Sequence, residues 1–106
     1  MTAALVVFCT CGSPEEASRI ANALVDERFA ACVNILPPIR SIYRWQGAIE
    51  QAEETLLLIK STTERFPALR DRIHELHSYE VPEIVGVPIC EGSAAYLSWV
   101  AGEVGR

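Results

Sequence analysis

Leu5-Val6-Val7-Phe8-Cys9-Thr10-Cys11-Gly12-Ser13-Pro14-Glu15-Glu16 is the stretch that decides the fold. Its first half, Leu5 to Thr10, is a β-rich apolar run and reads as a buried strand. Its second half is a helix start. Ser13 can cap, Pro14 fits the first helical position because an N–H there would lack a partner, and Glu16 completes a capping box. Ala17, Ile20, Ala21, Leu24 and Val25 follow at i, i+3, i+4, i+7 and i+8, which makes one apolar helical face. Arg28 ends that helix.

Working outward, Ala31-Cys32-Val33-Asn34-Ile35-Leu36 predicts a second strand. Pro37-Pro38 rules out a regular ladder there, since neither nitrogen can donate, and an extended pattern resumes from Ile39 to Trp45. A long strand with a kink is expected. Gln46-Gly47 makes a turn, and a third strand runs over residues 48–60, dominated by Thr55-Leu56-Leu57-Leu58-Ile59. Phe66, Leu69, Ile73 and Leu76 share a face of a second helix over residues 63–77, with Pro67 in or just after its first turn. Pro82 precedes a fourth strand over residues 84–90. Ser93 caps a short last helix carrying Tyr96, Leu97, Trp99 and Val100.

The order β-α-β-β-α-β-α over residues 1–106 predicts a single α+β domain of the ferredoxin-like, split βαβ kind. Its antiparallel sheet runs in the order 4-1-3-2 with two helices on one face. Yet the strands are apolar at both parities: Val6 and Phe8 against Leu5 and Val7, and Leu56 and Leu58 against Leu57 and Ile59. Strands buried on both faces need a second cover. Another copy of the chain packing on the open face supplies it, so an obligate oligomer is expected.

Half of the 106 residues are apolar, and the net charge is −5. That sign argues against nucleic acid or an anionic membrane surface as partner. No run is long enough to span a bilayer, and Met1-Thr2-Ala3-Ala4 lacks the charged segment of a signal peptide. None of Cys9, Cys11, Cys32 and Cys90 forms a C-x-x-C pair, which removes zinc-ribbon and thioredoxin readings. Reduced thiols in the cytoplasm are the expectation. There is no G-x-S-x-G and no P-loop, and the expected activity is not enzymatic.

Several segments together resemble one family. They are Ala30-Ala31-Cys32-Val33-Asn34-Ile35, then Ser41-Ile42-Tyr43, Trp45, Gly47 and Ile49-Glu50, then Glu54, Leu57, Ile59-Lys60-Ser61-Thr62, His77, Tyr79, Pro82-Glu83-Ile84 and Tyr96-Leu97-x-Trp99. In residues and spacing they resemble the CutA divalent-cation tolerance family nearly end to end. The resemblance implies a ferredoxin-like protomer in a homotrimer similar to the PII signalling proteins, a role in tolerance to divalent metals, and copper binding.

The topology itself places Cys9, Thr10 and Cys11 near His77, Tyr79 and Glu83, at one edge of the domain. Cys9 and Cys11 share a strand face, and a thiolate with an imidazole suits copper. The resemblance adds that Cys9 and His77 match two ligands of a copper site proposed for bacterial relatives. Leu76 stands where that pattern has a further histidine, and Cys11 is a candidate substitute. Against this, a cysteine in an apolar strand also serves as a small buried hydrophobe, and His77 can simply cap a helix end. Lys60 and Glu83 either pair with each other or, with Tyr79, line an inter-subunit cleft for a small anion. Tyr43 and Trp45 share a face suited to subunit packing.

Overall fold

A computed structural model describes residues 3–105. Met1, Thr2 and Arg106, part of the expected 1–106 unit, lie outside the described residues. β1 (Ala4–Cys11) leads into α1 (Pro14–Asp26), followed by β2 (Cys32–Ile35), β3 (Ile39–Trp45) and β4 (Ala48–Thr62). α2 (Phe66–Leu76), β5 (Val85–Pro88) and α3 (Ala94–Glu103) complete the order. The strands lie in the order β2-β4-β1-β5, and β3 also pairs with β4. All pairings are antiparallel. This is the expected ferredoxin-like order, once the kinked second strand is counted as β2 and β3.

The kink falls at Pro37-Pro38, and its consequence is geometric. β4 is 15 residues long. Its second half pairs with β2, from Cys32↔Lys60 to Ile35↔Leu57, and its first half with β3, from Ile39↔Glu54 to Trp45↔Ala48. The β3–β4 hairpin therefore extends beyond the helix-covered sheet, and the chain measures 44 × 25 × 24 Å along its principal axes. Gln46 (φ 50°) and Gly47 (φ 84°) close the hairpin, as a two-residue turn of the primed type that matches strand twist.

Alternation along the central strands divides the two faces. Leu5, Val7, Cys9 and Cys11 of β1 and Leu57 and Ile59 of β4 are buried among Ala17, Ile20 and Leu24 of α1 and Leu69 and Ile73 of α2. The other parity, Val6, Phe8, Leu56 and Leu58, is only half-buried, and Val85 and Val87 of β5 are exposed beside it. The second apolar face read from the strands is thus present and incompletely covered within one chain.

Several local expectations change, among them the bounds of the second strand (Cys32–Ile35) and of the long strand after the turn (Ala48–Thr62). α2 starts at Phe66 instead of Thr63, because Phe66 N–H closes a preceding turn onto the Thr63 carbonyl at 3.3 Å and Pro67 sits in the first turn. It ends before His77, whose ψ of 142° is extended. The last strand covers only Val85–Pro88. Ser93 stands at the N-cap of α3 with no side-chain cap bond. Arg28 does terminate α1 as read, in a left-handed conformation (φ 62°) that lets Phe29 N–H reach the Leu24 carbonyl at 2.9 Å.

Candidate metal centre and adjoining cleft

β1 runs straight into the core, so its odd residues point under the helices. Cys9 and Cys11 are therefore both fully buried and face the C-terminal end of α2. His77, the residue that leaves that helix, brings its ring to the same place, and its side chain has no exposed surface. The two Sγ atoms and a ring nitrogen of His77 lie within 4.8 Å of one another. Among the described residues this is the one group of three or more metal-ligating side chains. Leu76, at the position of the missing histidine, packs against the core instead.

His77 is oriented by backbone. Its Nε2–H donates to the Thr10 carbonyl at 2.8 Å, and its Nδ1 accepts from Tyr79 N–H at 3.0 Å. The Tyr79 ring lies 4.7 Å from the imidazole, centroid to centroid. Tyr79 OH in turn donates to Glu54 Oε2 on β4 at 2.8 Å. Gly12 leaves room beside it: a Cβ there would stand a tight 3.2 Å from the Tyr79 hydroxyl.

Glu16 holds the arrangement together. Ser13 caps α1 as expected, accepting from Glu16 N–H at 3.1 Å. The Glu16 carboxylate, however, completes no capping box with Ser13. Oε1 accepts from Gly12 N–H at 3.2 Å, and Oε2 from Ser78 N–H at 2.7 Å. One side chain at the head of α1 thus fastens the turn after β1 to the segment after α2. Its partner lies 62 residues away, so no local signal could have revealed it.

Charge in the cluster is shared unevenly. The Cys9 thiol beside Cys11 stabilises the Cys11 thiolate, burial opposes this, and His77 adds to it, so the Cys11 pKa falls to about 6. The same hydrogen bond to Cys11, then burial, pushes Cys9 up. For His77, burial disfavours the cation, but Cys11, the Thr10 carbonyl and Glu16 outweigh it and raise the pKa. Protonating Nδ1 would cost the Tyr79 bond. Burial, and then Glu54, raise the Tyr79 pKa.

The other predicted site residues separate. Tyr79 and Glu83 line a cleft of about 650 Å³ between the hairpin and the segment before β5, with Tyr43, Trp45, Glu50 and Glu54. Lys60 is not part of it. Its ammonium bonds to Asn34 Oδ1 across the β2–β4 pair, six residues along β4 from Glu54. The cleft of a single chain is consequently acidic and aromatic. Cys32 is half-buried on β2 and Cys90 is exposed.

Comparison with known proteins agrees with this architecture. The family model for CutA1 divalent ion tolerance proteins matches residues 5–103. The chain is 54% identical over 100 residues to the divalent-cation tolerance protein CutA of Thermus thermophilus, covering 94% of this chain and 97% of that one. A solved structure of a divalent cation tolerance protein from the same organism superposes with a TM-score of 0.95 at 53% identity, over 96% of this chain and 99% of that one. Human protein CutA is 45% identical over 93 residues, 88% of this chain, and the chain spans only 52% of the human protein's length. No helix among the described residues is long and apolar enough to cross a membrane.

Proposed function

This chain belongs to the CutA1 divalent ion tolerance family, and on that premise we propose that it is a metal-response protein, not an enzyme, that binds copper or a similar divalent cation through Cys9 and His77. The observation that carries this reading is the convergence of buried sulfur and nitrogen donors at the end of β1. The donor set fits the ion: thiolate and imidazole are soft-to-borderline ligands, suited to copper and zinc. The imidazole would give up one of its two backbone bonds to coordinate. The retained bond would then fix the ring, as partners of metal-bound histidines ordinarily do. Glu16, by holding Ser78, positions the segment that carries His77. The ion itself supplies a reversible, saturable binding event.

The active form in this reading is a homotrimer of one domain per chain, with a reducing cytoplasm keeping the site thiols free. Support comes from the half-covered sheet face, where Val85 and Val87 are exposed, and from Trp45 and Ile49 on the hairpin. Apolar area of this kind on a small protein marks an interface. The test is a copper titration of the wild-type chain beside Cys9→Ala and His77→Ala. Saturable binding weakened in both variants is expected; unchanged binding in both would refute the assignment.

The cleft favours a second reading, a PII-like regulatory module that takes a small ligand or a protein partner between subunits. Tyr79 and Glu83 line it, whereas Lys60 would have to reach it from another chain. A thermal-shift screen against nucleotides, organic acids and amines tests this. A hit lost in Tyr79→Ala but retained in Cys9→Ala supports it; no hit overturns it.

A further inference from the structure

Binding through Cys9 and His77 alone leaves Cys11 without a role, although its sulfur stands in the same group. Cys11 lies two residues along β1 from Cys9 on the same face, fully buried, with its Sγ within 4.8 Å of both other donor atoms. We propose that Cys11 is a third ligand of the centre, and that the resulting pair of thiols and one imidazole selects monovalent copper over divalent ions. The proposal rests on the reading that Cys9 and His77 bind metal.

The spacing permits it. Three donors about 2.3 Å from one ion in a trigonal plane stand about 4.0 Å apart, so donors within 4.8 Å of one another close on an ion by moving inward less than about 1 Å. The coordination number points to the ion. Zinc completes a tetrahedron with a fourth protein ligand or a water. Among the described residues no fourth histidine, cysteine or carboxylate joins this group. The neighbouring Glu16 carboxylate, 3.8 Å from His77 Nδ1, is already engaged by the Gly12 and Ser78 N–H groups. Neither sulfur is exposed, and neither is the His77 side chain, so the centre is closed to solvent. Three buried donors, two of them soft sulfurs, match a three-coordinate d10 ion, and thiolate-rich sites favour Cu(I). Cu(II) instead prefers tetragonal nitrogen and oxygen ligands. On binding, the thiol protons pass to solvent and no electron is transferred.

The test uses the full chain, reduced and kept anaerobic. It is titrated with Cu(I) against bicinchoninate as competing chelator, and separately with Zn(II). One Cu(I) per chain is expected, bound at least about tenfold more tightly than Zn(II). Cys11→Ser should weaken Cu(I) binding by about 100-fold or more, since loss of an outer-shell partner alone costs about 10–100-fold. Copper-edge X-ray absorption on the wild-type complex, which depends on no variant folding, should count two sulfurs and one nitrogen. A single sulfur, equal affinity for Zn(II), or unchanged Cu(I) affinity in Cys11→Ser overturns the proposal while leaving Cys9 and His77 in place. Unchanged affinity in Cys9→Ala and His77→Ala overturns the underlying assignment as well.

Discussion

Removing the Glu16 carboxylate should loosen the junction between the turn after β1 and the segment that carries His77. The side chain is 8% exposed and accepts one hydrogen bond from Gly12 N–H and one from Ser78 N–H. Bonds to a charged group contribute about 1.5–3 kcal/mol each, and an orphaned buried donor costs about 1–3 kcal/mol. Water reaching the opened turn recovers part of that. Glu16→Ala should therefore cost about 2–4 kcal/mol, and Glu16→Gln, which keeps one acceptor and loses the charge, about 1–2 kcal/mol. The pH dependence has a definite sign. Burial pushes the Glu16 pKa up, but the bonds from Ser78 and Gly12 and the nearby His77 outweigh it and lower it. A carboxylate with a depressed folded-state pKa contributes stability above its unfolded value, about 4.3, and loses it as pH falls through the folded value. The stability gap between wild type and Glu16→Gln should narrow as pH falls below about 4.3. The assay is urea unfolding at fixed protein concentration, which also holds any subunit linkage constant. A Glu16→Ala variant within about 0.5 kcal/mol of wild type at pH 7 would place it among ordinary surface changes and refute the reasoning. So would a Gln gap that ignores acid.

Tyr79→Phe removes the bond to the buried Glu54 and should cost about 1 kcal/mol in the same assay. Because the hydroxyl touches none of the three donors, copper affinity should stay within about twofold of wild type, given that outer-shell losses cost about 10–100-fold. Gly47→Val forces a β-branched residue to a φ of 84° and should lower stability by about 1–2 kcal/mol. Nothing lies within 4 Å of a Cβ there, so a loss in this variant is backbone strain and not a clash. If the proposed homotrimer packs through the hairpin, Trp45→Ala should shift sedimentation toward monomer, since that ring stands 41% exposed there. An unchanged sedimentation profile would remove Trp45 from the interface.

The order of strands and helices was readable in the chain itself because its signals are local. An apolar run followed by Ser13-Pro14, a helical spacing from Ala17 to Val25, the Pro37-Pro38 break and the Gln46-Gly47 turn each act through neighbours in sequence. Apolar residues at both parities likewise announced a second face needing cover, and the structure leaves that face half-open in one chain. Helix and strand ends were less legible. Phe66, His77 and Val85 were misplaced by one to three residues because terminal turns depend on what packs beside them.

What only the tertiary structure decided is which side chains meet. The topology already brings Cys9, Cys11 and His77 to one edge; that their donor atoms close to within 4.8 Å of one another is decided by the packing of β1 under the end of α2. Glu16 read as one half of a capping box; its carboxylate instead spans to Ser78, since ordering the segment after α2 leaves an N–H that the nearest buried acceptor satisfies. Lys60 read as a member of a cleft between subunits; within one chain it bonds to Asn34, six residues of extended strand from Glu54. Sequence determined the elements and their order through short-range preferences. The site depended on contacts tens of residues apart, which only the folded sheet and its helices bring together.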